Sequence, residues 1–143
     1  MTTVSRVYGL AYSGSFSPVV EGSTTEGSGT NYVQSLGHFV VRDGACSLSF
    51  RVVYNNLTGA VGDLHVRCPD APLPNYTVPI AFYLEGYSTG IGAGDTIQAT
   101  INNIDSTCVI KFHIVDLAGG GAATDVSVGA SGTISGTVTY PSG

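Results

Sequence analysis

NYVQSLGHFVVRDGACSLSFRVVYNN, residues Asn31 to Asn56, is the stretch that decides the fold. From Cys46 to Val53 the residues alternate. Cys46, Leu48, Phe50 and Val52 fall on one side, and Ser47, Ser49, Arg51 and Val53 on the other, as in a strand with one buried face. Immediately before it, Phe39 and Val41 point one way and His38, Val40 and Arg42 the other. Asp43-Gly44 between the two runs is a hairpin turn signal, because both residues tolerate the positive φ that a tight two-residue turn demands. The stretch therefore reads as the central hairpin of an antiparallel sheet.

Working outward, strands are expected at Pro18 to Glu21, introduced by Gly14-Ser15-Phe16-Ser17-Pro18, and at Asp63 to Arg67, with Leu64 and Val66 inward. More follow at Thr77 to Leu84, Thr96 to Ile101, Cys108 to Val115 and Thr133 to Tyr140. Gly22–Gly29, Asn55–Gly59, Gly86–Asp95, Asn102–Thr107 and Gly119–Gly121 read as the intervening loops and turns. Cys68 to Asn75 carries Pro69, Pro72 and Pro74 and cannot be a central strand; it is expected to be a rigid crossover loop. At the front, Val4, Tyr8, Leu10 and Tyr12 recur at two-residue spacing around Arg6. Residues 1–12 thus form an edge strand or an extended arm able to pair with another subunit. No segment shows a 3.6-residue period. Eight to ten short strands spaced roughly ten residues apart indicate an all-β fold. The expected form is an antiparallel β-sandwich, jelly-roll-like, occupying residues 13–143 behind the arm.

Composition narrows the function. The chain of 143 residues holds 20 glycines, and only 10% of its residues are charged against about 25% in ordinary domains. Its surface must be covered largely by Ser, Thr, Asn and Gly, which fits a protein packed against neighbours. A net charge of −5 with Lys111 as the single lysine argues against nucleic-acid backbones and anionic membranes. No window approaches about 18 consecutive apolar residues. MTTVSRVYGLAY lacks the basic and apolar regions of a signal peptide, so synthesis in a cytoplasm is expected. Cys46, Cys68 and Cys108 are odd in number and form no CxxC pair, so reduced thiols are expected; a Cys68–Cys108 bridge stays open.

No residue pattern announces catalysis. His38, His65 and His113 share no ligand spacing, and alternation turns each outward. Asp63, Asp95, Asp105 and Asp125 sit in or beside turns, where aspartate bonds its own backbone. There is no nucleophile elbow, no phosphate loop and no zinc spacing. Neither an enzyme nor a cofactor nor a metal site is expected. A small jelly-roll enzyme is the minor alternative, and a cupin-type metal centre would need clustered inward histidines.

Gly14-Ser15-Phe16-Ser17-Pro18, then Tyr32, Gln34, Gly37 and Phe39, then Leu73-Pro74, and lastly Ile134 to Tyr140 resemble, in that order, landmarks of the trimeric β-sandwich modules of tailed bacteriophages. In those modules G-x-W-x-P or G-x-F-x-P opens the domain, Y-x-x-Q-x-G-x-Y precedes the main strand, a Leu-Pro follows a strand, and a G-T-Y strand closes it. The match spans nearly the whole chain, with Gln34 one position early relative to Gly37 and Phe39 in place of the tyrosine. The resemblance implies a virion structural protein that forms a homotrimer. Read as a complete short protein starting at Met1, the chain is expected to be a capsid decoration, or cement, protein on the outside of the phage head. It would contact the major capsid protein or another virion protein through Val4, Arg6, Tyr8, Leu10 and Tyr12. The alternative is a tail-fibre or tailspike module that binds host glycans through Asn75, Tyr76, Tyr83, Tyr87, Asp95 and Asn103.

Overall fold

A computed structural model describes residues 11–86, 95–116 and 124–142. Ten strands are formed: β1 (Ala11–Phe16), β2 (Val19–Gly22), β3 (Asn31–Arg42), β4 (Ala45–Asn55), β5 (Leu64–Arg67), β6 (Val78–Glu85), β7 (Asp95–Ile104), β8 (Thr107–Asp116), β9 (Thr124–Asp125) and β10 (Gly132–Pro141). Every pairing is antiparallel. The strands follow the order β1-β3-β4-β10-β6-β7-β8-β5-β2, with β9 beside β8. Among the described residues there is no helix, and the fold is all-β and antiparallel.

The alternation of β4 does what its pattern requires. Cys46, Leu48, Phe50 and Val52 are buried, and Ser47, Ser49 and Arg51 are exposed. Asp43 and Gly44 take φ of 53° and 77°, giving the tight turn that joins β3 to β4. A second such turn, Asp105-Ser106 with φ of 51° and 61°, joins β7 to β8. The expected loop Asn102–Thr107 is consequently shorter than its composition indicates, because Asn102 and Asn103 continue the ladder opposite Val109 and Cys108. At the front, Gly14, Ser15 and Phe16 lie inside β1 rather than leading into β2. Ala11 and Tyr12, assigned by sequence to the arm, pair with Arg42 and Val41, so arm and domain meet within one strand.

The sheet curls on itself at β6. Val78–Ile80 pairs with β7, while Ala81–Glu85 pairs with β10, so one strand belongs to both halves of the sheet. The inner faces then share one core, in which Phe82 and Phe112 meet edge to face at 5.4 Å. The two outermost strands, β1 and β2, are joined by only Ser17-Pro18. Across that seam the Val20 N–H donates to the Tyr32 hydroxyl at 2.9 Å and the Ser35 hydroxyl donates to the Pro18 carbonyl at 2.8 Å. Tyr32 faces inward because β3 carries a bulge at Val33. The extra residue restores the inward phase, placing Tyr32 opposite Tyr54 and leaving Val33 exposed.

One inward row explains several glycines. Phe16 lies opposite Gly37, Gly37 opposite Phe50, Phe50 opposite Gly136 and Gly136 opposite Phe82. A methyl group on Gly37 would lie 2.4 Å from the Phe16 ring, and one on Gly136 would lie 2.8 Å from Phe50. Each aromatic ring fills the space its neighbour's missing side chain leaves, so glycine inside these strands is a packing requirement and not a break. The motif residues Gly14, Phe16, Gly37, Phe39 and Gly136 thus have a common physical role.

Candidate functional site

A hollow of about 690 Å³ is lined by Tyr12, Val41, Pro72, Leu73, Pro74, Asn75, Asn103 and Ser142. Three separate segments build it. β1 contributes Tyr12, whose ring packs edge to face on Phe39 at 6.3 Å. The far end of β7 contributes Asn103. The proline-rich loop contributes the wall, and it is fastened to β10: the buried Tyr140 hydroxyl donates to the Pro72 carbonyl at 2.7 Å, and the Asn75 N–H donates to the Pro141 carbonyl at 3.0 Å. Burial pushes the Tyr140 phenol well above its ordinary range, so it stays a donor. The hollow therefore has a rigid apolar wall, one half-exposed aromatic ring and two carboxamides. It contains no charged side chain. Such a lining recognises neutral polar groups beside flat apolar ones.

The two halves of the sheet carry different outer faces. On the half made by β1, β3, β4, β10 and β6, one outward row runs Ser15, His38, Ser49, Thr137, Ala81. Its neighbours run Ser13, Val40, Ser47, Thr139 and Leu36, Arg51, Ser135, Tyr83. These three rows hold no carboxylate; the next row of the same half, Gln34, Val53, Thr133, Glu85, ends in one. Arg51 Nε is bonded to Gln34 Oε1 at 2.8 Å, and Leu36 and Tyr83 stand more than half exposed. On the other half the corresponding row runs Glu21, His65, Lys111, Thr100. Beside it, Arg67 Nε contacts Glu21 Oε1 at 3.3 Å, and the Thr100 hydroxyl lies 3.4 Å from His113 Nε2. Burial raises the Glu21 carboxyl above its ordinary value despite the Arg67 guanidinium beside it.

The residues singled out by sequence separate into groups. Val4, Arg6, Tyr8, Leu10 and Tyr87 lie outside the described residues. Tyr12 stands on β1, an edge strand among the described residues, and also lines the hollow. Asn75 and Asn103 join it there, and Tyr76 is exposed in the loop next to Asn75. Asp95 opens β7 opposite Asp116. Tyr83 does not join them: it stands on the neutral outer face, its hydroxyl donating to Glu85 two residues along the same strand. Of the residues expected to bind glycans, Asn75 and Asn103 line the hollow and Tyr83 lies apart from it. What the sequence did not flag is Leu73, and the only signal for it was the Leu-Pro pair in a proline-rich segment. Among the described residues no three His, Cys, Asp or Glu side chains are grouped to hold a metal ion.

No protein-family model matches this chain, and no curated protein matches it.

Proposed function

We propose that this chain is a virion structural protein, a capsid decoration module that associates as a homotrimer and binds the outside of a shell. The observation that carries the reading is the neutral outer face of the β1-β3-β4-β10-β6 half, continuous with the free edge of β1. The central rows of this face, Ser, Thr, Ala, Val and Leu apart from His38, Arg51 and Tyr83, hold no carboxylate to desolvate when water is removed; Glu85 stands at their margin. The free edge offers backbone N–H and C=O groups that a strand from another chain can pair. Burying roughly 1,600 Å² at each contact suffices for specific association, and repetition over a symmetric shell multiplies it. Binding to the assembled state alone adds stability to that state. The resemblance of the glycine and aromatic landmarks to phage trimeric modules supports the same reading.

The test is attachment to purified shells lacking the protein. Deleting residues 2–10, which leaves β1 intact, is expected to abolish shell occupancy while the domain stays folded; unchanged occupancy would count against the arm as the attachment device. A second reading, a host-glycan receptor module, is favoured by the hollow that unites Tyr12, Asn75 and Asn103. Saturable binding on a glycan array, lost in Asn75→Ala and Asn103→Ala, would establish it in place of decoration.

A further inference from the structure

The third feature of the fold lies at the end of β5. Cys68 follows its last residue, Arg67, which pairs with Val109 of β8. One step further along the same register sets Cys68 opposite Cys108, and the Cys68 N–H donates to the Cys108 carbonyl at 2.8 Å. Residues directly opposed through such a bond have Cα atoms about 5.5 Å apart. That spacing falls within the roughly 4.4–6.8 Å that a disulfide spans without moving the backbone. The two thiols act directly on each other's ionisation, and the Cys68 S–H also lies 3.9 Å from the Val66 carbonyl. Both residues are buried, yet both line the floor of a hollow of about 330 Å³ together with Arg67, Pro69, Asp70 and Thr107. Cys46 comes from β4, and its thiol and that of Cys108 both interact with the Tyr140 hydroxyl.

We propose that Cys68 and Cys108 are a built disulfide site, reduced as the chain is made and closed when the folded protein meets a small-molecule disulfide such as oxidised glutathione. The chemistry balances. The Cys108 thiolate attacks one sulfur of oxidised glutathione through the hollow, forming a mixed disulfide and expelling one glutathione thiolate with the electron pair of the broken bond. Cys68 gives up its proton and attacks the Cys108 sulfur, closing the Cys68–Cys108 bond and expelling the second glutathione thiolate. Two protein thiols are oxidised, one glutathione disulfide is reduced to two thiols, and the two protons end on them. Cys108 is the first attacker because its interaction with Cys68 draws its thiol below the ordinary range, while that same interaction and then burial hold Cys68 above it. The inference is independent of the decoration reading.

The experiment uses the full chain. Protein reduced with a phosphine and freed of it is incubated with oxidised glutathione at pH 8, denatured in acid, blocked with N-ethylmaleimide and weighed by mass spectrometry. The expected product has lost two hydrogens and carries a single maleimide. Trypsin, cutting after Arg67 and Lys111, releases residues 68–111 as one peptide, so the loss must appear inside it and the maleimide on residues 43–51, which hold Cys46. Cys46→Ser is expected to show the same loss and no maleimide. Three maleimides per chain after incubation, a lasting glutathione adduct without hydrogen loss, or a linkage through Cys46 would each overturn the proposal.

Discussion

The two halves of the sheet share one core and differ on the outside. The row Ser15–His38–Ser49–Thr137–Ala81 faces solvent on one half; on the other, the outer row Glu21–His65–Lys111–Thr100 is half-buried, with Glu21 buried. Their inner faces differ too. The neutral half packs aromatic rings over glycines, whereas the charged half packs Leu64, Val66, Ile101 and Ile110 conventionally. A strand exposed to water needs no more than polarity outside, and charged residues supply it most securely. The half that forgoes them is the half to suspect of meeting another protein.

The contrast of the inner faces is sharpest at Gly37. Gly37→Ala places a methyl 2.4 Å from the Phe16 ring, which is held between strands and cannot step aside freely. A loss of about 1–3 kcal/mol is expected in chemical denaturation. A neutral or stabilising result would show that the aromatic–glycine row is loose and the two inner faces alike. A smaller, opposite effect is expected on the charged half. Ser106 holds φ of 61°, a conformation that glycine adopts at less cost, so Ser106→Gly should gain up to about 1 kcal/mol.

Glu21 gives the smallest effect and the one that depends on pH. Its carboxyl is raised chiefly by burial, so the folded state binds its proton more tightly than the unfolded chain does. Stability then falls as pH rises from about 4.5 through the raised value, and the deficit persists at neutral pH. Glu21→Gln should match the natural chain near pH 4, equal or exceed it at pH 7, and show a flatter stability profile between. Lower stability at pH 7 would mean that the Arg67 ion pair outweighs the burial.

Much of this fold is legible in the residues. The alternation in Cys46–Val53 and the Asp43-Gly44 turn locate the central hairpin because each rests on local chemistry. What escapes sequence is pairing at a distance. Gly14 reads as a turn residue until the ring of Phe39 is found over it, 2.5 Å from where its Cβ would be. Asp105-Ser106 lacks the glycine that marks Asp43-Gly44, so the sequence alone reads the β7–β8 turn as a longer loop. The bulge at Val33 exists only relative to β4. The hollow, drawn from Tyr12, the proline-rich loop and Asn103, has no signature in any one of them, and Tyr83 enters the expected glycan set through its residue type alone.

The neutral face is the central claim, and light scattering on three purified chains tests it most directly. The natural chain is expected at three times its own mass. Thr137→Glu, exposed in the middle of the neutral rows, should fold with nearly unchanged stability and run as a monomer, because a carboxylate buried at a contact must first be stripped of water. Gln98→Glu, exposed on β7 of the charged half, should remain trimeric. A monomeric natural chain, or a Thr137→Glu variant that stays trimeric, would contradict the assignment of this face to assembly.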